Sequence, residues 1–223
     1  MEYKYIDVIR HAEAAFNRGV GRQYDEKAGI STLGRRQVQE LTQYYKSQGI
    51  VLDHVLSSPL RRAKKTAKPL PRKQRWSWIE KHPGLAEPRW GSKIWGQRLI
   101  DLPEHPNGQG NNLYSELLGD AGQEPYEKVV PRVQKAVERL LSVTKPGEIT
   151  AAVCHGSVAR LLESFFVDPT FTPTQETDVQ KYGLLPNARI RRFIFDKDNN
   201  LVGVTNPMDG ELRMNALTPT NQL

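Results

Sequence analysis

The chain has a single cysteine, Cys154, among its 223 residues. An internal disulfide framework is therefore excluded, and the lone thiol, placed at the end of the apolar run Ile149 to Cys154, suits a reducing compartment. Nowhere is there a stretch both apolar enough and long enough to span a bilayer, so no membrane role is expected. Met1 to Lys4 carry no basic leader, apolar stretch or small-residue cleavage site ahead of the first strand pattern, and a cytoplasmic location is expected. Acids are the scarcer charge: 25 Asp and Glu against 32 Lys and Arg leave a net charge of +7. A hydrophobic fraction of 38% with charges of both signs excludes fibrous and disordered classes and describes an ordinary globular protein.

The basic excess is uneven. Between Arg61 and Lys81 lie nine Lys or Arg and one acid, Glu80. Such a bias attracts anions. Nucleic acid is not the expected partner, because neither a helix-turn-helix pattern nor aromatics in a glycine-rich strand frame accompany the charges. A small phosphorylated molecule needs only a few of them.

Hydrophobic period then divides the chain. Tyr5 to Ile9 reads as a strand. Ser31 or Thr32 can cap a helix through Val38, Leu41 and Tyr45 that ends at Gly49. Val51 to Leu56 reads as a second strand, with Ser58-Pro59 as the start signal of a helix near Leu60. Val129 to Leu141 keeps one helical face, with Pro131 in its first turn or at a kink. Ile149 to Cys154 has the continuous apolar character of a strand covered on both faces, and Val158 to Phe166 returns to helical spacing. Arg189 to Phe195 and Leu201 to Thr205 read as strands joined by the turn Asp196 to Asn200. This alternation predicts one α/β domain over 1–223, a three-layer α/β/α fold with a mostly parallel central sheet. Glu80 to Glu124, rich in Pro, Gly and Asn, has no sustained period and reads as an irregular cap over a site. Trp90 and Trp95, with Arg89, Lys93 and Arg98, would give that cap flat apolar surface and positive charge, or would simply pack it.

Polar residues just beyond the carboxyl ends of parallel strands carry the most information about ligands. Three such ends stand out: Arg10-His11-Ala12-Glu13, Ser57 to Ala63, and His155-Gly156-Ser157. A helix start offers unpaired N–H donors and a positive dipole end, and arginine adds a planar fork that grips two phosphate oxygens. Two arginines, two histidines and a helix end in one place would form a phosphate pocket. A zinc site is not expected: two histidines lack a third and fourth ligand in any recognisable spacing, and Arg10 would repel a cation. His54, His82 and His105 read as structural or surface residues.

The motifs themselves resemble a family. "VIRHAEAAFN" is similar to the phosphate-binding opening of the histidine phosphatase superfamily, the phosphoglycerate mutase-like clan, whose usual form is Arg-His-Gly-Glu with an Asn a few residues on. "GISTLGRRQ" resembles its Leu-Thr-x-x-Gly-x-x-Gln helix start, and "SSPLRRAKKTA" its Ser-Ser-x-x-x-Arg-Ala-x-x-Thr-Ala signature. "LAEPRWG" fits its Leu-x-Glu followed by glycine, and "VCHGSVARLL" its second His-Gly element. The matches fall in family order from Ile6 to about Phe166. Ala12 stands where glycine is usual, and Ser157 follows the second His-Gly.

The resemblance implies a role for each matching position. His11 is the implied nucleophile that takes the phosphoryl group, and Arg10 holds that group beside it. Arg62, directly before Ala63, is the second arginine clamp, whereas Arg61 is one position early. His155 is the second pocket histidine, Asn17 helps bind phosphate, and Glu87 is the acid that protonates the leaving group. Asn187 matches a late asparagine near the pocket. The implied activity is a cofactor-free, metal-independent phosphomonoesterase acting on a small phosphorylated metabolite through phosphohistidine. Phosphoryl mutase chemistry and a repurposed binding module are the alternatives. "RGVGRQYDEKAG", after Asn17, lacks the mutase pattern, which shifts weight toward hydrolysis.

Overall fold

The computed structural model describes residues 2–14, 28–73, 79–89, 124–209 and 211–213. Asn17, Trp90, Lys93, Trp95 and Arg98 lie outside them, as does most of the expected cap. β1 (Lys4–Arg10) leads toward α1 (Thr32–Ser47), β2 (His54–Ser57), α2 (Arg61–Ala67) and the two-residue β3 (Glu80–Lys81). α3 (Tyr126–Val143), β4 (Ile149–Cys154), α4 (Gly156–Val167), β5 (Ile190–Phe195), β6 (Leu201–Asn206) and β7 (Glu211–Arg213) complete the order.

The strands form a seven-stranded sheet in the order β3-β2-β4-β1-β5-β6-β7. It is mixed rather than uniform. β3, β2, β4 and β1 pair in parallel, whereas β5 runs antiparallel to β1, β6 to β5 and β7 to β6. The five-residue turn between β5 and β6 accounts for the antiparallel pairing of those two strands, since so short a link can only return the chain antiparallel. Alternate residues of each central strand face opposite layers. Ile6, Val8, Leu56, Ala152 and Cys154 pack with the buried faces of α3 and α4; Ile9, Val55, Ala151 and Val153 pack with those of α1 and α2. The result is the expected three-layer α/β/α sandwich.

Local signals explain most boundaries. Ser31 caps α1, its side chain accepting the Gly34 N–H. α2 departs from expectation: its cap is Leu60 without a side-chain bond, and Ser58 Oγ instead accepts the Leu60 N–H at 3.2 Å. Val51 to Asp53 precede β2 rather than joining it, with Leu52 in an isolated bridge to Arg72. Pro131 lies inside α3, beyond its first turn. Glu80 and Lys81, expected to be irregular, form the sheet's edge, a strand too short to leave a period in the sequence.

Candidate active site

The sheet register delivers the site. Arg10 pairs with Cys154 and Ser57 with Val153, so the next residue of each strand end arrives at one level. The ladder is extended by His11 N–H to the Cys154 carbonyl and Ser58 N–H to the Val153 carbonyl, both at 2.9 Å. His155 follows directly as the N-cap of α4. His11, Ser58, Arg62 and His155 are all buried. The His11 and His155 ring centroids are 4.9 Å apart.

His11 is oriented by a carbonyl. Its Nδ1 lies 2.8 Å from the Ala12 oxygen, which can only accept, so Nδ1 carries the proton and Nε2 the lone pair. Arg62 Nε donates to that Nε2 at 3.3 Å, and Arg62 Nη2 donates to Glu87 Oε2 at 2.5 Å. The same carboxylate oxygen stands 3.4 Å from His155 Nδ1, while His155 Nε2 is 2.8 Å from Ser58 Oγ. Arg10 donates through Nη1 to the Leu185 carbonyl at 3.1 Å, which ties the 183–188 segment to the end of β1. Asn187 Nδ2 donates to the His11 carbonyl at 2.7 Å. Of the six residues singled out for the site, the structure thus groups His11, Arg62, Glu87 and His155, places Arg10 at the end of β1 next to His11, and does not describe Asn17. Arg61 is exposed.

Burial, then the charges of His155 and Arg62, hold His11 well below the usual histidine range. Burial likewise pushes His155 down to about 4, although Glu87 works against it. Both imidazoles are therefore neutral near pH 7. For Glu87, burial alone would favour the protonated acid, but His155, Arg62 and His11 outweigh it and keep the carboxyl well below the usual range. Without a ligand, the residue that the resemblance makes the leaving-group acid is thus a carboxylate, because His155 and Arg62 favour its charge.

His11, Glu87 and His155 offer ligand atoms within 4.8 Å of one another, so a third potential metal ligand does exist. What weighs against a cation is Arg62, whose guanidinium already meets the carboxylate these ligands would share.

Several supporting residues carry no charge signal in the sequence. Thr66 Oγ1 accepts the Ala12 N–H at 2.9 Å, and Gln37 Oε1 accepts the Glu13 N–H at 2.8 Å. A Cβ on Gly34 would sit 2.1 Å from the Glu13 carbonyl oxygen, so only glycine lets α1 approach the end of β1 this closely. The glycine, glutamine and threonine of the quoted motifs thereby gain physical roles. Arg132, by contrast, has no motif. Its Nη1 donates to the carbonyls of Pro83 and Ala86 at 3.1 and 2.7 Å, and its guanidinium is gripped by both oxygens of Glu124. Glu124 in turn accepts the Arg89 N–H, so this pair holds the segment that presents Glu87 from both sides.

The fold and site define an α/β protein with a buried cluster of histidines, Arg62 and Glu87 at the carboxyl ends of parallel strands. Residues 6–206 match the model of the histidine phosphatase superfamily, branch 1, and the chain belongs to that family. No curated protein matches the chain significantly. Among solved structures, it is similar to the alpha-ribazole phosphatase of Shigella flexneri, at 17% identity and a TM-score of 0.67 over 94% of this chain and 95% of that one. It is also similar to the Entamoeba histolytica phosphoserine phosphatase in complex with 3-phosphoglyceric acid, at 22% identity and a TM-score of 0.62 over 89% and 93%. A mycobacterial glucosyl-3-phosphoglycerate phosphatase matches at 18% identity and a TM-score of 0.62, again over 89% and 93%. At these identities the likeness speaks for the fold. Among the described residues, no helix is long and apolar enough to cross a membrane.

Proposed function

We propose that the protein is a phosphomonoesterase that hydrolyses a small phosphorylated metabolite through a phosphohistidine at His11. The observation that carries this reading is the orientation of His11: the Ala12 carbonyl holds the proton on Nδ1, leaving the Nε2 lone pair beside Arg62 inside the pocket. A neutral imidazole so held is a nucleophile near neutral pH without a separate base. The family, and the phosphatases whose structures resemble this chain, support hydrolysis over other uses of the pocket. Phosphoserine and phosphoglycerate, named with two of those structures, are reasonable members of a substrate panel.

In the first step His11 Nε2 forms a bond to phosphorus as the bond to the ester oxygen breaks. Arg10, Arg62 and His155 stabilise the negative charge on the phosphoryl oxygens in flight. The leaving oxygen needs a proton. Glu87 can supply one only if it is protonated first, and the ester itself brings this about. Its negative charge is set against the carboxylate and competes for Arg62, both of which raise the affinity of Glu87 for a proton. A monoanionic ester, whose second pKa is near 6, carries the proton in. In the second step the Glu87 carboxylate takes a proton from water, which attacks the phosphohistidine; the N–P bond breaks, His11 is restored, and the proton on Glu87 leaves with the inorganic phosphate. The scheme requires no metal or other cofactor.

The test compares wild type with His11→Ala on p-nitrophenyl phosphate and a panel of phosphorylated metabolites, with EDTA present. The reading expects phosphate release by wild type alone, in equal amount to the alcohol formed. Equal activity in the two proteins would overturn it.

A further inference from the structure

A neutral imidazole has one proton and two nitrogens, and a donor to phosphoryl oxygens is useful only if the proton is on the nitrogen that faces them. We propose that Ser58 is a positioning residue: its hydroxyl donates to His155 Nε2 and thereby fixes the His155 proton on Nδ1, the nitrogen beside Glu87. Its consequence for turnover rests on the phosphatase reading of the pocket; the tautomer itself does not.

Both ring nitrogens point to the same assignment. On the Nε2 side, Ser58 Oγ lies 2.8 Å away and is already an acceptor, taking the Leu60 N–H at 3.2 Å. Among the described residues these two nitrogens are the hydrogen-bond partners of Oγ. The Leu60 N–H can only donate, so the single hydroxyl hydrogen has one acceptor to go to, the Nε2 lone pair. Were Nε2 protonated instead, Oγ would accept from both sides and its hydrogen would be stranded in a fully buried site. On the Nδ1 side, Glu87 Oε2 stands 3.4 Å away. A lone pair on Nδ1 would face that carboxylate and be repelled, whereas an N–H there is attracted. Among the described residues, Nδ1 has only the long 3.4 Å approach to Glu87 and no aligned hydrogen bond, which leaves its proton available to a ligand oxygen.

The two histidines thus hold the same tautomer to opposite ends. In His11 the Nδ1–H is turned to its own backbone, at Ala12, and the pocket receives the lone pair of Nε2. In His155 the lone pair is turned to Ser58, and Glu87 and the pocket receive the proton of Nδ1. The strand-to-helix turn that delivers Arg62 therefore also sets the protonation pattern of its neighbour, since the N–H that orients Ser58 belongs to Leu60, the cap of α2.

The experiment reads the tautomer directly, by long-range proton–nitrogen correlation spectra of 15N-labelled full-length protein near neutral pH, for wild type, Ser58→Ala, Ser58→Thr and Ser57→Ala. Ser57, also buried, bonds the Ser58 carbonyl and serves as the control for losing a buried hydroxyl. Wild type and Ser57→Ala should show His155 protonated at Nδ1, and Ser58→Ala should show a mixture or Nε2 protonation, with Ser58→Thr restoring the wild-type pattern. In turnover, Ser58→Ala should lower kcat about tenfold or more, short of the about 10²–10³-fold loss expected when a donor is removed outright, and Ser58→Thr should recover most of it. An Nε2-protonated His155 in wild type, or an unchanged tautomer in folded Ser58→Ala, overturns the proposal. A correct tautomer in a protein that hydrolyses no ester leaves this assignment standing and overturns the phosphatase reading instead.

Discussion

On the antiparallel side of β1, Arg192 grips Asp7 through Nε at 2.6 Å and Nη2 at 2.8 Å, and Tyr45 adds its hydroxyl to the same carboxylate at 2.8 Å. On the parallel side, Arg62 is divided between Glu87 and His11, and Glu87 is shared in turn with His155. Each centre sets an arginine, buried in the case of Arg62 and half-buried in that of Arg192, against a carboxylate. In the first, three donors close on one carboxylate and the group is complete without any ligand. In the second, one carboxylate is shared between Arg62 and His155, and among the described residues the aligned contacts use the Nε2 but not the Nδ1 of His155. A buried group in which Arg10 and Arg62 face a single carboxylate favours an anion, whereas the closed cluster of arginine, carboxylate and tyrosine ties β1 to β5 and α1.

Substitutions should separate the two centres. Arg62→Ala is expected to lower kcat/KM about 10³-fold, equivalent to about 4 kcal/mol of transition-state stabilisation, as steady-state kinetics would show. Asp7→Asn should do the reverse. Leaving the half-buried Arg192 without its counter-charge is expected to cost about 3 kcal/mol in urea unfolding, with kcat per folded molecule unchanged. A loss of kcat in Asp7→Asn would mean that the clusters are coupled.

Acid should act through the pocket rather than through the closed cluster. His155 titrates at about 4 when folded and near 6.5 when unfolded, so the unfolded chain binds more protons between those values. Stability therefore rises with pH across that window and is lost on acidification, by on the order of 3 kcal/mol. The depressed Glu87 adds stability above its usual value near 4.5 that is lost as pH falls further, so both groups act in the same direction. His155→Gln should flatten the upper part of the profile measured by urea midpoints. The smallest effect is expected for Arg132→Ala, which removes no pocket side chain but releases the segment that presents Glu87. We expect about a tenfold loss of kcat on alkyl phosphates and less on p-nitrophenyl phosphate, whose leaving group needs little help from Glu87.

Much of the parallel side was legible in the sequence because strand ends, helix starts and charged residues there are local patterns. "YIDVI" followed by Arg10 and His11 reads directly as a strand delivering a histidine, and His155 after "ITAAVC" reads the same way. Contacts between distant segments were not legible. Nothing near Asp7 announces Arg192, 185 positions away in sequence. Arg132 looks like one more exposed helix charge until its contacts with Pro83 and Ala86 are seen. The resting protonation of Glu87 was not legible for a related reason: the resemblance implies an acid there once the ester arrives, but without a ligand its charge state is set by His155 and Arg62, which come from two other strand ends. Ser58 was read as a helix signal, and only the packing of Leu60 and His155 around its hydroxyl shows a second use.

The central claim is that His11 accepts the phosphoryl group. Rapid acid-free quenching of wild type with a radiolabelled phosphomonoester that it turns over, followed by peptide mapping, tests this most directly. The account predicts acid-labile, base-stable phosphate on His11, formed and lost at rates compatible with turnover and absent from His11→Ala. Turnover that proceeds with no phosphate on His11, or with equal labelling of His11→Ala, would contradict it.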